Sequence, residues 1–205
     1  MSEFEAFFRL GFSHILNIEN PSHLLDGLDH ILFILVLAAV YPAAQWRKIL
    51  VLVTAFTLGH SLTLVLAATQ WLNFPRQTIE LLIPVTIFLT AVYNFFEKPT
   101  EGTAWWTPAL RVRYFLAAFF GLIHGFAFSN VLRSMFALTQ ESIVLKLLAF
   151  NLGIEAGQVL VVLLIMLLFW FLQSRAQLRV QLWNQVLSSV AGLTALGIFI
   201  AKSWG

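Results

Sequence analysis

Long apolar runs separated by short polar breaks dominate this chain. The hydrocarbon core of a bilayer takes about 20 apolar residues per helix. Runs of that kind fall at about 23–41, 49–69, 78–96, 112–132, 143–171 and 182–201. Pro42 closes the first run, and Asn73 and Pro75 divide the second from the third. Pro99, Gly102 and Pro108 divide the third from the fourth, and the polar stretch Ser174 to Arg179 precedes the sixth. Asn20-Pro21 opens the first run with a helix-capping residue and a proline suited to the first turn. Ahead of it, Phe4, Phe7, Phe8, Phe12 and Ile15 recur at helical spacing, which predicts an amphipathic helix lying on the membrane surface. The expected architecture is an all-α integral membrane protein, a bundle of six transmembrane helices behind an N-terminal interfacial helix, with residues 1–205 forming one transmembrane domain. No internal repeat or low-complexity segment is evident.

Composition sharpens this picture. The chain is 60% hydrophobic and 11% charged, against about 25% charged residues in soluble domains. A chain of this length has no core large enough for that much apolar surface, so lipid must act as solvent. Cysteine is absent, which removes disulfides, thiolate metal sites and cysteine nucleophiles. Glu3 and Glu5 stand where a cleaved signal peptide would carry basic residues. The net charge of +2 reflects basic residues in the connections between runs, so nucleic acid is not expected as a partner. Arg47, Lys48, Lys98, Arg111, Arg113, Arg175 and Arg179 fall on one side, against Arg9, Arg76, Arg133, Lys146 and Lys202 on the other. The positive-inside bias then places both termini outside, in a bacterial inner membrane. Trp46, Trp71, Trp105, Trp106 and Trp204 sit near run ends and read as interfacial anchors.

Ionisable residues within the runs are costly and mark function by default. Asp26, Asp29, Glu80 and Glu155 are acids of this kind, and His23, His30, His60 and His124 are their imidazole counterparts. No Lys or Arg lies deep in a run, so the buried acids call for a proton, a metal or another cation. At about 1.5 Å rise per residue, His30, His60, His124 and Glu155 fall at similar depth from one face. His23, Asp26 and His30 share one helical stripe, with Asp29 beside it. Asn151, Glu155 and Gln158 form a second stripe, and Ser61 adjoins His60. Gly59 precedes His60, Gly121 and Gly125 bracket His124, and Gly153 and Gly157 bracket Glu155. Small residues let membrane helices approach closely. These residues predict an intramembrane metal site: His23, Asp29, His30, His60, His124 and Glu155, with Asp26, Glu80, Asn151, Gln158 and Ser61 as additional candidates. His14 lies in the interfacial segment and reads as structural.

Five motifs in order resemble one family. They are His23-x5-Asp29-His30, the stretch TAFTLGHSLTL from Thr54 to Leu64, IELLIP from Ile79 to Pro84, GLIHGFAF from Gly121 to Phe128 and FNLGIEAGQ from Phe150 to Gln158. Together, over nearly the whole chain, they resemble the hydrogenase/urease accessory membrane proteins of the HupE/UreJ type. The resemblance implies a nickel or cobalt permease, with His23, Asp29 and His30 as its metal-binding motif. A second motif that some members carry, two histidines and a glutamate in one late span, is represented here by His124 alone with Glu155 on the next helix. That places the chain on a divergent branch.

Imidazole and carboxylate without thiolate suit a divalent ion such as Ni, Co or Zn. The leading expectation is therefore a divalent metal permease whose partners are the metal ion and the lipid bilayer. Self-association as a homo-oligomer stays open. The same residues would also serve a metal sensor or an intramembrane metalloenzyme, a zinc-type hydrolase in which Glu155 or Glu80 acts as base on bound water. Haem ligation by facing histidines such as His60 and His124 is a third reading, but it leaves the acids unexplained.

Overall fold

A computed structural model describes residues 2–16, 24–68, 75–97, 107–136 and 142–204, with the backbone alone at 24–27, 68 and 130–136. The described residues form seven α-helices and one short 3-10 turn: α1 (Glu3–Leu16), α2 (Leu24–Ala39), α3 (Trp46–Ala68), α4 (Arg76–Phe96), α5 (Pro108–Phe136), α6 (Ile143–Ala176) and α7 (Val180–Trp204). The ends follow local chemistry. Ser2 Oγ accepts from the Glu5 N–H at 3.2 Å, capping α1, and Glu3 and Glu5 complement its N-terminal dipole. Pro108 opens α5 while Thr107 Oγ1 accepts from the Leu110 N–H. Gln177, at φ 50°, takes the left-handed conformation that stops α6.

Helices α3 to α7 are each long and apolar enough to cross a bilayer. Their outer faces are hydrocarbon, with Leu58, Phe96, Phe115, Val144 and Leu193 among the large exposed side chains. An apolar surface this extensive fits lipid and not water, so the chain is an integral membrane protein. Helix α2 differs from these five. Its apolar part, Leu28–Ala39, is shorter, and Phe33, Ile34, Val36, Ala38 and Ala39 are at most 1% exposed. A helix apolar all round is one that is buried, and α2 is enclosed by α1, α3, α4, α6 and α7.

Three broad interfaces build the bundle: α3 with α5, α1 with α6, and α4 with α7. In the first, a Cβ at Gly59 would collide with the Ala118 carbonyl oxygen, and one at Gly121 with that of Phe56. Each glycine meets the carbonyl three residues before the other glycine, the reciprocal pattern of two parallel helices crossing backbone to backbone. The second interface repeats it. Gly11 faces the Phe150 carbonyl and Gly153 that of Phe8. An ion pair of 3.6 Å between Glu3 and Lys146 ties the two N-terminal ends together. A short repeat thus becomes visible once the packing is known: Phe-x-Leu-Gly at residues 8–11, 56–59 and 150–153. The α1 segment was expected to lie on the membrane surface. Its Phe7, Gly11 and Ile15 are buried, and the helix runs beside the first half of α6.

Candidate metal site

Four imidazoles converge where these helices meet. The His30 ring on α2 lies 5.8 Å from that of His60 on α3 and 5.3 Å from that of His124 on α5, measured between ring centres. The fourth ring is His14 on α1, 4.7 Å from His30 and 6.1 Å from His60. Both ring nitrogens of His30 and of His60, Nε2 of His14 and Nδ1 of His124 are buried with no hydrogen-bond partner among the described residues. Buried polar atoms are ordinarily paired, with protein groups or with water, so these nitrogens are available to a ligand.

The exception defines one ring. His124 Nε2 lies 3.3 Å from Thr86 Oγ1, and that hydroxyl donates at 2.7 Å to the Ile83 carbonyl. A carbonyl only accepts, so the Thr86 proton is committed to it. With that proton so placed, Thr86 Oγ1 can accept from His124 Nε2–H, the tautomer that leaves the lone pair on Nδ1, the buried orphan nitrogen. Which nitrogen binds a metal is set by the hydrogen bond of the other.

Aromatic rings shut the cluster off from its surroundings. Phe33 and Phe56 lie 5.3 and 5.1 Å from His124, and Phe120 lies 5.9 Å from Phe33, forming a floor. Phe128, 4.3 Å from His14, stacks on Phe150 at 5.0 Å on the opposite side.

The other candidates are placed elsewhere. Asp29 is buried beside His30, and its Oδ2 lies 3.4 Å from Lys202 Nζ. Glu155 accepts from Thr54 Oγ1 at 2.7 Å and Gln158 Oε1 from Thr57 Oγ1 at 2.8 Å, along the α3–α6 interface. Thr54 precedes His60 by six residues, about 9 Å along α3, so Glu155 stands apart from the rings. Ser61 donates to the Thr57 carbonyl at 2.7 Å. Asn151 is half-buried, one turn before Glu155. Glu80 pairs with Arg76 at the start of α4. His23 lies outside the described residues, and so does the Asp26 side chain. As the side chains stand, no three His, Asp or Glu among the described residues are arranged to hold a metal ion.

One expectation needs correction. Among the acids within the runs, Asp29 does have an internal cation, since Lys202 reaches it, and basic side chains are also buried beside Glu3 (Lys146, 1% exposed) and Glu97 (Arg113, 5% exposed). Long basic side chains reach inward from helix ends on their methylene stems, and depth counted at the Cα misses them. His14, which reads from the sequence as structural, stands within the cluster. A signal for it was present: Gly11 precedes His14 by three residues, as Gly121 precedes His124.

A second buried polar group lies toward the start of α5. Asn94 Nδ2 donates to the Val36 carbonyl at 2.7 Å, and Arg113 donates to Asn94 Oδ1 at 3.1 Å. Asn184 Nδ2 donates to the Asn94 carbonyl at 2.6 Å, and Ser188 to Asn184 Oδ1. These bonds tie α2, α4, α5 and α7 together. Arg113 is eleven residues from His124, about 16 Å along the helix.

No curated protein and no solved structure matches the chain. The family model described as HupE / UreJ protein matches residues 1–204. With a match over that extent, on a helical membrane protein, the chain belongs to the HupE/UreJ family.

Proposed function

We propose that this protein binds a divalent metal ion of the nickel, cobalt or zinc kind at the imidazole cluster and carries it across the membrane as cargo. The observation that supports this most is the spacing of the rings. Metal–imidazole bonds of about 2.0–2.1 Å in a tetrahedral set put ring centres on the order of 5 Å apart. Four of the six ring pairs here are spaced 4.7 to 6.1 Å. Uncharged imidazoles suit Ni, Co and Zn, and Asp29 beside His30 supplies negative charge that Lys202 balances before the ion arrives. The positive-inside count favours entry from the face that holds both termini, in an inner membrane.

A metal sensor or metalloenzyme is the second reading, and the aromatic floor of Phe33, Phe56 and Phe120 favours it, because a closed floor suits a site open to one face only. Elemental analysis and cobalt titration of the purified protein test the shared core of both readings. The parent is expected to hold a divalent metal, and His30→Ala, His60→Ala and His124→Ala to lose it. Parent protein that stays metal-free under saturating nickel, cobalt and zinc would sink the proposal.

A further inference from the structure

We infer that His14 is the fourth imidazole ligand and that α1 is the element that completes the site. The inference rests on the metal-site reading above and adds to it a ligand from outside the three helices that carry His30, His60 and His124.

Three observations carry it. The His14 ring lies nearest to His30, at 4.7 Å, and also faces His60 at 6.1 Å. Its Nε2 is buried without a hydrogen-bond partner among the described residues. Its helix is fixed by contacts that have no slack. Gly11 and Gly153 pack against each other's backbone, Ile15 packs on Gly157, and Glu3 pairs with Lys146. A stray histidine on a surface helix would turn toward water. Here Phe128 and Phe150, 4.3 and 5.9 Å away, hold the ring on the side of the cluster.

The described α1 has 14 residues, about 21 Å at 1.5 Å per residue, and runs parallel to α6 from the level of Lys146 to that of Gly157. Over that length it delivers a side chain toward the middle of a hydrocarbon core of about 30 Å from one face. Three histidines leave a tetrahedral ion one open position. His14 fills it, so the ion held by all four has no water bound and is sealed from the face by which it entered. Withdrawal of α1 reopens one coordination position without disturbing the other three rings.

The test uses the full chain with cobalt(II) alone as probe. Binding is followed by the cobalt absorption bands, and X-ray absorption counts the imidazoles. The parent should show four imidazoles and His14→Ala three. The affinity of His14→Ala should fall by more than the roughly 10–100-fold that loss of an outer-shell partner costs. Free imidazole added to His14→Ala should restore the four-nitrogen spectrum. Gly11→Leu keeps His14 but forces α1 away from α6, and it should show the same three-imidazole site. Parental affinity in His14→Ala would overturn the inference. Weakened binding with the imidazole count unchanged would show that His14 acts through packing alone, and would overturn it too. If the parent binds no cobalt, the proposed function falls as well. If His30→Ala abolishes binding and His14→Ala does not, this inference alone fails.

Discussion

At the scale of single residues, the most informative contact is between Thr86 and His124. With the Thr86 proton on the Ile83 carbonyl, its oxygen is placed to accept from His124 Nε2–H, the tautomer that leaves Nδ1 free for a ligand. Thr86→Val keeps the shape and removes the acceptor. Metal affinity is expected to fall roughly 10–100-fold, as it does when an outer-shell partner of a ligating histidine is lost. Isothermal titration with nickel checks this, and unchanged affinity would mean that Nδ1 is not the ligating atom. The residue scale also shows what could be read from sequence. His30, His60 and His124 were legible because an imidazole within an apolar run has no ordinary reason to be there. Lys202 was not, since it sits near the end of the chain and reaches Asp29 on a flexible stem. Glu155 was legible as buried polar, but its partner Thr54 was not. Which polar groups on two helices pair depends on their crossing, and hydropathy carries no information about that.

At the scale of helices, the glycines decide where the rings stand. The five long spans were legible from run length alone, with ends displaced by a few residues. Their neighbours were not, because glycine-mediated crossing needs a partner that sequence spacing does not name. Gly59 and Gly121 let α3 and α5 touch backbone to backbone, which sets the separation of His60 and His124. Gly121→Leu must push the helices apart. Overpacking of this kind costs about 1–3 kcal/mol or more, and it would move His124 away from His60 as well. Gly197 is the internal control, since a Cβ there meets nothing within 4 Å. The expected outcome is a lower unfolding temperature and lost metal binding for Gly121→Leu. Gly197→Ala should bind as the parent does, with a small gain in stability from helix propensity. Thermal scans with and without cobalt read both effects. A Gly121→Leu protein that binds cobalt normally would show that this crossing does not position the site.

At the scale of the whole molecule, the two glycine-crossed pairs run in opposite senses. Phe128, late in α5, stacks on Phe150, early in α6. Phe169, late in α6, stacks on Trp183, whose neighbour Asn184 joins the network of Arg113, early in α5. The α3–α5 pair therefore points one way and the α1–α6 pair the other, and the imidazoles lie between them. Oppositely directed helix pairs with a substrate site at their junction, one of them containing a partial helix, are a recurrent arrangement in secondary transporters. Transport needs a second state. Toward the start of α5 the ion would have to pass Phe33, Phe56 and Phe120, then the fully buried end of α2 and the Arg113–Glu97 pair. Rocking of one pair against the other would part that floor, whereas a sensor or enzyme would keep it shut. Sealed proteoliposomes holding a nickel-sensitive dye separate these cases. The parent is expected to accumulate nickel and His60→Ala to stay at the background of empty vesicles. Phe56→Ala, which thins the floor without removing a ligand, should bind nickel and pass it at least as fast as the parent. If the parent binds nickel but the dye never responds, with the protein shown to be oriented for entry, the floor does not open and the cluster serves sensing or catalysis at one face.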